Sequence, residues 1–128
     1  MRESDFQTKF TRWLKYNQKH SGAFELKICK KKSLPFNAVQ EHQVDALLSV
    51  KHGCLSYKIP DDSRGFKPFD CFSLSGPAWV VIQFYSRGVK HFYMIDIDIW
   101  VKEIKISKRK SITEERASEI GIKKTLGK

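Results

Sequence analysis

At 128 residues, with 41% hydrophobic and 12% aromatic side chains, the chain is the size of one ordinary domain and fills a core without disulfide or metal staples. A formal charge of +10, from 24 Lys and Arg against 14 Asp and Glu, points to a polyanionic partner, nucleic acid above all. No apolar run nears the roughly 20 residues that cross a bilayer, Met1–Asp5 lack the apolar stretch of a secretory signal, and no basic helix carries the broad apolar face that would suit an anionic membrane.

Ser4 to about Lys19 is predicted as a helix, from Phe6, Phe10, Trp13 and Leu14 at helical spacing, with Ser4 and Gln7 as a capping box. His20-Ser21-Gly22 ends it, and Ala23 to Cys29 reads as the first strand. Lys30 to Asn37 is a basic loop. A second helix runs from Ala38 to about Lys51, with Val39, Gln43, Ala46, Leu47 and Val50 on one stripe. Strand-like segments follow at Cys54–Ile59 and Phe69–Leu74, separated by a polar turn from Pro60 to Lys67. Ala78 to Tyr85 is the most apolar stretch and is expected to be the central strand, with Lys90 to Ile95 beside it. Asp96 or Asp98 caps a short helix through Trp100 and Ile104. Ser111 to Gly121 reads as a last helix with a Ser111–Glu114 capping box, before a frayed end. The predicted fold class is therefore α/β, a single domain over residues 1–128 with a central mixed sheet flanked by helices and a basic helical extension over about 96–128. Cys29, Cys54 and Cys71, odd in number and widely spaced, form neither a disulfide framework nor a zinc pattern, so they read as reduced thiols of a cytoplasmic protein.

The chemistry-bearing segment is Phe24-Glu25-Leu26-Lys27. Alternate strand residues share a face, so Glu25 and Lys27 stand together opposite Phe24 and Leu26. An E-x-K strand followed by lysines is the pattern of a metal-dependent phosphodiesterase site; a solvated strand face with an ion pair is the plainer alternative. Such hydrolysis needs carboxylates to hold a divalent metal and a lysine beside the attacking water. Glu25 and Lys27 supply one of each. A second carboxylate is expected from a neighbouring strand, with Asp70 in Pro68-Phe69-Asp70 the choice, because a carboxylate among apolar residues needs a partner. Asp61, in an ordinary Pro-Asp-Asp turn, is its rival. Gln43 falls on the inward stripe, either to position a phosphate or metal-bound water or to bond a strand end. Glu3 is either a further metal ligand or a favourable charge at a helix start. Lys30, Lys31, Lys32 and Lys67, with Lys108, Arg109 and Lys110 from the basic run of Lys102–Lys110, are candidate contacts to a nucleic-acid backbone.

The E-x-K strand, the Lys/Ser/Leu/Pro/Phe loop after it and the helix containing Glu41-His42-Gln43 resemble the core of the PD-(D/E)xK nucleases, and within them the RecU-type Holliday-junction resolvases and their phage and archaeal relatives. The likeness covers residues 1–100. It implies a restriction-endonuclease-like core, Mg²⁺ or Mn²⁺ as cofactor, branched DNA as substrate in recombination, a homodimer, and a cytoplasmic setting in a bacterial or archaeal cell or phage-infected host. In those enzymes the metal-binding Asp precedes the E-x-K strand, whereas here Asp70 follows the second helix. The resemblance thus implies a rearranged site in which Glu25, Asp70 and, more weakly, Glu3 hold metal, with Lys27 and Gln43 beside them.

Overall fold

Strand alternation decides the layout. The computed structural model describes residues 2–16, 22–52, 55–58, 71–74 and 76–126. Helix α1 (Glu3–Tyr16) leads to β1 (Ala23–Cys29), a short β2 (Ser33–Pro35) and a 3₁₀ turn at Phe36–Ala38. Then come α2 (Glu41–His52), β3 (Leu55–Lys58), β4 (Cys71–Leu74), β5 (Ala78–Phe84) and β6 (His91–Asp96). The chain closes with α3 (Ile97–Ile106), β7 (Ser111–Thr113), α4 (Glu114–Ile120) and β8 (Ile122–Thr125). The main sheet has the order β1-β5-β6-β8, with β1 parallel to β5 and the other pairs antiparallel. Two ribbons stand apart from it, β3 with β4 and β2 with β7. The result is an α/β domain with a mixed sheet between helices.

The parallel pair is started by a close approach. The Ala23 amide donates to the Pro77 carbonyl at 2.9 Å, and Gly22 has φ 125° with a hypothetical Cβ only 2.0 Å from that oxygen. Only glycine fits there. The pairing then sets Glu25 opposite Val80 and Lys27 opposite Ile82.

Each face of the sheet has its own core. On one face α1 lays Phe6, Phe10 and Trp13 against Phe92, Met94 and Val81, with Phe24, Leu26 and Ile28 of β1 at its edge. Phe10 is the hinge of this cluster, with ring contacts to Phe6, Trp13, Phe24 and Phe92 at 5.2–6.1 Å. Burying each such ring stabilises by about 2–3 kcal/mol, and Phe10→Ala is the single change that would loosen α1 most, by about 3–5 kcal/mol. On the other face α2, α3, α4 and the β2–β7 ribbon cover Val80, Ile82, Tyr93 and Ile95, with Trp100 of α3 fully buried.

Several expectations are corrected. Helix α1 begins at Glu3, and no Ser4–Gln7 capping box forms: Asp5 accepts from the Arg2 amide at 3.1 Å, while Ser4 lies inside the helix. Helix α2 starts at Glu41, because Phe36–Ala38 winds as a 3₁₀ turn. The last helix is shorter than expected. Ser111–Thr113 is a strand, Thr113 is the cap, and the residues read as frayed contain β8, an edge strand of the main sheet. Residues 96–126 are therefore part of the core rather than an extension. Asp96 does cap α3, accepting from the Asp98 amide at 2.9 Å. Among the described residues no helix is long and apolar enough to cross a membrane.

Candidate functional site

Glu25 and Lys27 project from β1 on the α2 side of the sheet, between Ala23 and Cys29. That face does not open freely to solvent as a bare strand surface would: the Glu25 side chain is 25% exposed and Lys27 only 16%. Helix α2 brings the third member. The Gln40 amide donates to Gln43 Oε1 at 2.9 Å, which is the reciprocal half of a capping box. With Oε1 committed, the Gln43 amide nitrogen reaches across to β1 and donates to Glu25 Oε1 at 2.9 Å. Lys27 Nζ meets the same oxygen at 3.4 Å. Glu25 Oε2 has no partner among the described residues.

The arrangement has a chemical consequence. A half-buried carboxylate is costly without compensation. Two donors lock it in place, and both crowd one oxygen. The second oxygen stays available with its orientation fixed. For a divalent cation this is one anionic oxygen donor of the right kind, beside an ammonium group able to meet a phosphate or water. Among the described residues no group of three His, Cys, Asp or Glu side chains converges to complete a metal cage. Asp70, Asp61 and Lys67 lie outside the described residues. Glu3 stands exposed at the start of α1, the helix that covers the opposite face of the sheet, and makes no contact with Glu25.

The basic runs are brought together in a way the sequence does not announce. Lys30, Lys31 and Lys32 are exposed on the turn between β1 and β2, and Lys108, Arg109 and Lys110 are exposed just before β7. Because β2 pairs with β7, both runs border one ribbon.

Other ionic groups went unforeseen. Lys51 Nζ lies 2.6 Å from both oxygens of Asp96 and 2.6 Å from Asp98 Oδ2, and His52 meets Asp98 Oδ1 at 2.5 Å. Hydrogen bonds to Asp96 and then Asp98 raise the Lys51 pKa, and those from Lys51 and His52 hold the Asp98 carboxyl below its ordinary range. Glu103, 6% exposed inside α3, takes a bidentate guanidinium from Arg116 at 2.8 and 3.0 Å. Glu114 Oε2 accepts from Tyr93 Oη and meets His91 Nε2, each at 2.8 Å. Burial, aided by Glu114, pushes the Tyr93 pKa up to about 12. Acidic residues two apart at a helix start, facing Lys51-His52 at a helix end, were the available signal for the first group; the other two follow from pairing and carried none.

Comparison with protein-family models, with curated proteins and with solved structures returned no match for this chain.

Proposed function

We propose that this chain is a metal-dependent endodeoxyribonuclease of the PD-(D/E)xK type. Its preferred substrate is branched DNA such as a four-way junction, and Mg²⁺ or Mn²⁺ is its cofactor. The observation that supports this reading is the convergence of Lys27 and Gln43 on one oxygen of the half-buried Glu25, with the second oxygen left unpartnered among the described residues.

Bound metal would lower the pKa of its water and take up charge on the phosphate. Glu25 holds its carboxylate in one orientation. Lys27 presents an ammonium to the water or to the phosphate oxygens. Gln43 fixes the orientation of the Glu25 side chain. Asp70 is the proposed second carboxylate, delivered from the segment between β3 and β4. Symmetric cutting of a junction calls for two such sites, hence a homodimer in the cytoplasm.

The test is cleavage of a synthetic four-way junction, and of a linear duplex for comparison, with Mg²⁺ titrated. Glu25→Gln and Asp70→Asn are expected to lose metal-dependent cleavage while melting unchanged without metal, and Asp61→Asn to stay active. Loss in Asp61→Asn with full activity in Asp70→Asn would move the second ligand to the turn. Full activity in Glu25→Gln would remove the site, and an absence of cleavage at any metal concentration would leave a DNA-binding domain without a nuclease.

A further inference from the structure

The β2–β7 ribbon ties the two basic runs into one fixed surface. Its three pairs are antiparallel, Ser33 with Thr113, Leu34 with Ile112 and Pro35 with Ser111. Leu34 and Ile112 point into the core at 5% and 1% exposure, which anchors the ribbon from below. The outward positions are therefore Ser33, Pro35, Ser111 and Thr113, small side chains that let a large ligand come close. The runs leave opposite ends: Lys32 precedes Ser33, and Lys110 precedes Ser111, its carbonyl bonded to the Phe36 amide at 3.0 Å. Four residue steps separate Lys32 from Lys110 along the ribbon, about 13 Å at about 3.3 Å each.

Both ends are held. Cys29 Sγ donates toward the carbonyls of Lys31 and Ser33 at 3.3 Å, which shapes the first lysine turn. The Arg109 amide donates to Ser107 Oγ at 3.1 Å, which shapes the second. Beside the second turn opens a cleft of about 360 Å³ lined by Ser107, Lys108, Arg109, Ser111, Thr113 and Arg116, with Glu103 and Ile106. The Glu103 charge in it is already taken by Arg116. None of the six cations of the two runs enters an ion pair among the described residues.

We infer that this ribbon is a docking shelf for the backbone of double-stranded nucleic acid, its two basic ends meeting phosphates of the two strands across one groove. A spacing of about 13 Å is close to the width of the major groove, about 12 Å. A single strand presents no such fixed pair of phosphate rows. The cleft takes a phosphate from the strand nearer α3, with Ser107 and Ser111 hydroxyls beside Lys108 and Arg109. The inference gives the substrate-binding surface for the reading above, but it does not require cleavage.

The experiment measures binding without metal, by fluorescence anisotropy, to a labelled duplex and to one of its strands, over a salt range of about 50 to 200 mM. Three triple variants remove equal charge: Lys30, Lys31 and Lys32 to Ala; Lys108, Arg109 and Lys110 to Ala; and, as control, Lys9, Arg12 and Lys15 to Ala on α1, the other side of the sheet. Each ribbon variant is expected to weaken duplex binding by roughly tenfold or more and to flatten the salt slope by about 2–3, while the control changes it less than about threefold. Equal loss in the control would overturn the inference, because charge alone would then account for binding. So would single-strand affinity equal to or above that for duplex, or capture by phosphatidylserine vesicles without duplex binding. Duplex binding with no cleavage would uphold the shelf and remove the nuclease; cleavage with ribbon variants that bind and cut like the control would do the reverse.

Discussion

Among the described residues two lysine–carboxylate groups form, and they use their charges differently. At the junction of α2 and α3, Lys51 and His52 occupy the carboxylate oxygens of Asp96 and Asp98, all four of them, at 2.5–2.6 Å. At the edge of the sheet, Lys27 stands back at 3.4 Å and shares a single Glu25 oxygen with Gln43. A saturated cluster holds helices together. An unsaturated one has neighbours that leave an oxygen over, and that oxygen can meet a group that is not part of the chain. Glu114 lies between the two, with one oxygen doubly bonded and a side chain 42% exposed.

The largest expected effect breaks the unsaturated side. Lys27→Ala should lower junction cleavage on the order of a thousandfold, about 4 kcal/mol in barrier, with DNA affinity nearly kept because many other cations hold the backbone. Near wild-type cleavage by this variant would cancel the distinction between the clusters.

Raising the pH tests the intermediate case. A tyrosine whose folded pKa is raised favours the folded state fully below about pH 10, and that advantage is lost as pH rises through about 12. The loss should approach about 3 kcal/mol, read by denaturant unfolding across this window. Tyr93→Phe should flatten the profile; an unchanged profile would show that ionisation of Tyr93 does not govern stability in this window.

Gln43→Ala sharpens the comparison at the site. It removes the group that orients Glu25 without removing the carboxylate, so cleavage should fall about 10- to 100-fold. The metal concentration needed for half-maximal rate should rise, and Gln43→Glu should be worse than Gln43→Ala because it sets a second charge against Glu25. Equal rates in all three proteins would make Gln43 a helix cap and nothing more.

The smallest effect belongs to the saturated side. Lys51→Met leaves Asp96 and Asp98 facing each other without their cation and should cost about 1–2 kcal/mol of stability, damped by partial exposure. Cleavage per folded molecule should stay at the wild-type level. A thousandfold loss of cleavage there would mean the wrong cluster has been assigned the chemistry.

What could be read from the sequence was local. Ala23–Cys29 and Ala78–Phe84 are strands because apolar runs of that length between turn residues leave little choice. Gln43 was legible as inward-facing because it shares a stripe with Leu47 and Val50. The two readings for its partner were a strand end or a phosphate or metal-bound water; it instead bonds Glu25, inside β1. The ribbon was illegible. Three-residue strands have no periodicity, and Ser111-x-x-Glu114 fits a capping box as well as it fits a strand leading into a Thr113-capped helix. β8 was missed for a related reason: Ile122-Lys-Lys-Thr is mostly exposed, so burial left no mark on its pattern. The charge clusters of Lys51 and Glu103 arise from helices that meet only after folding, and spacing along the chain does not encode them.

The pairing of Leu34 with Ile112 also bears on the order of events during synthesis. The Glu25–Gln43 contact joins β1 and α2, 18 residues apart in sequence, although β1 itself is completed only by its pairing with β5. The ribbon joins the first third of the chain to its end, and closing so long a loop is slow and entropically costly. The two lysine turns acquire their mutual spacing only when residues 111–113 have left the ribosome. Helix α4 and β8, an edge strand of the main sheet, follow later still.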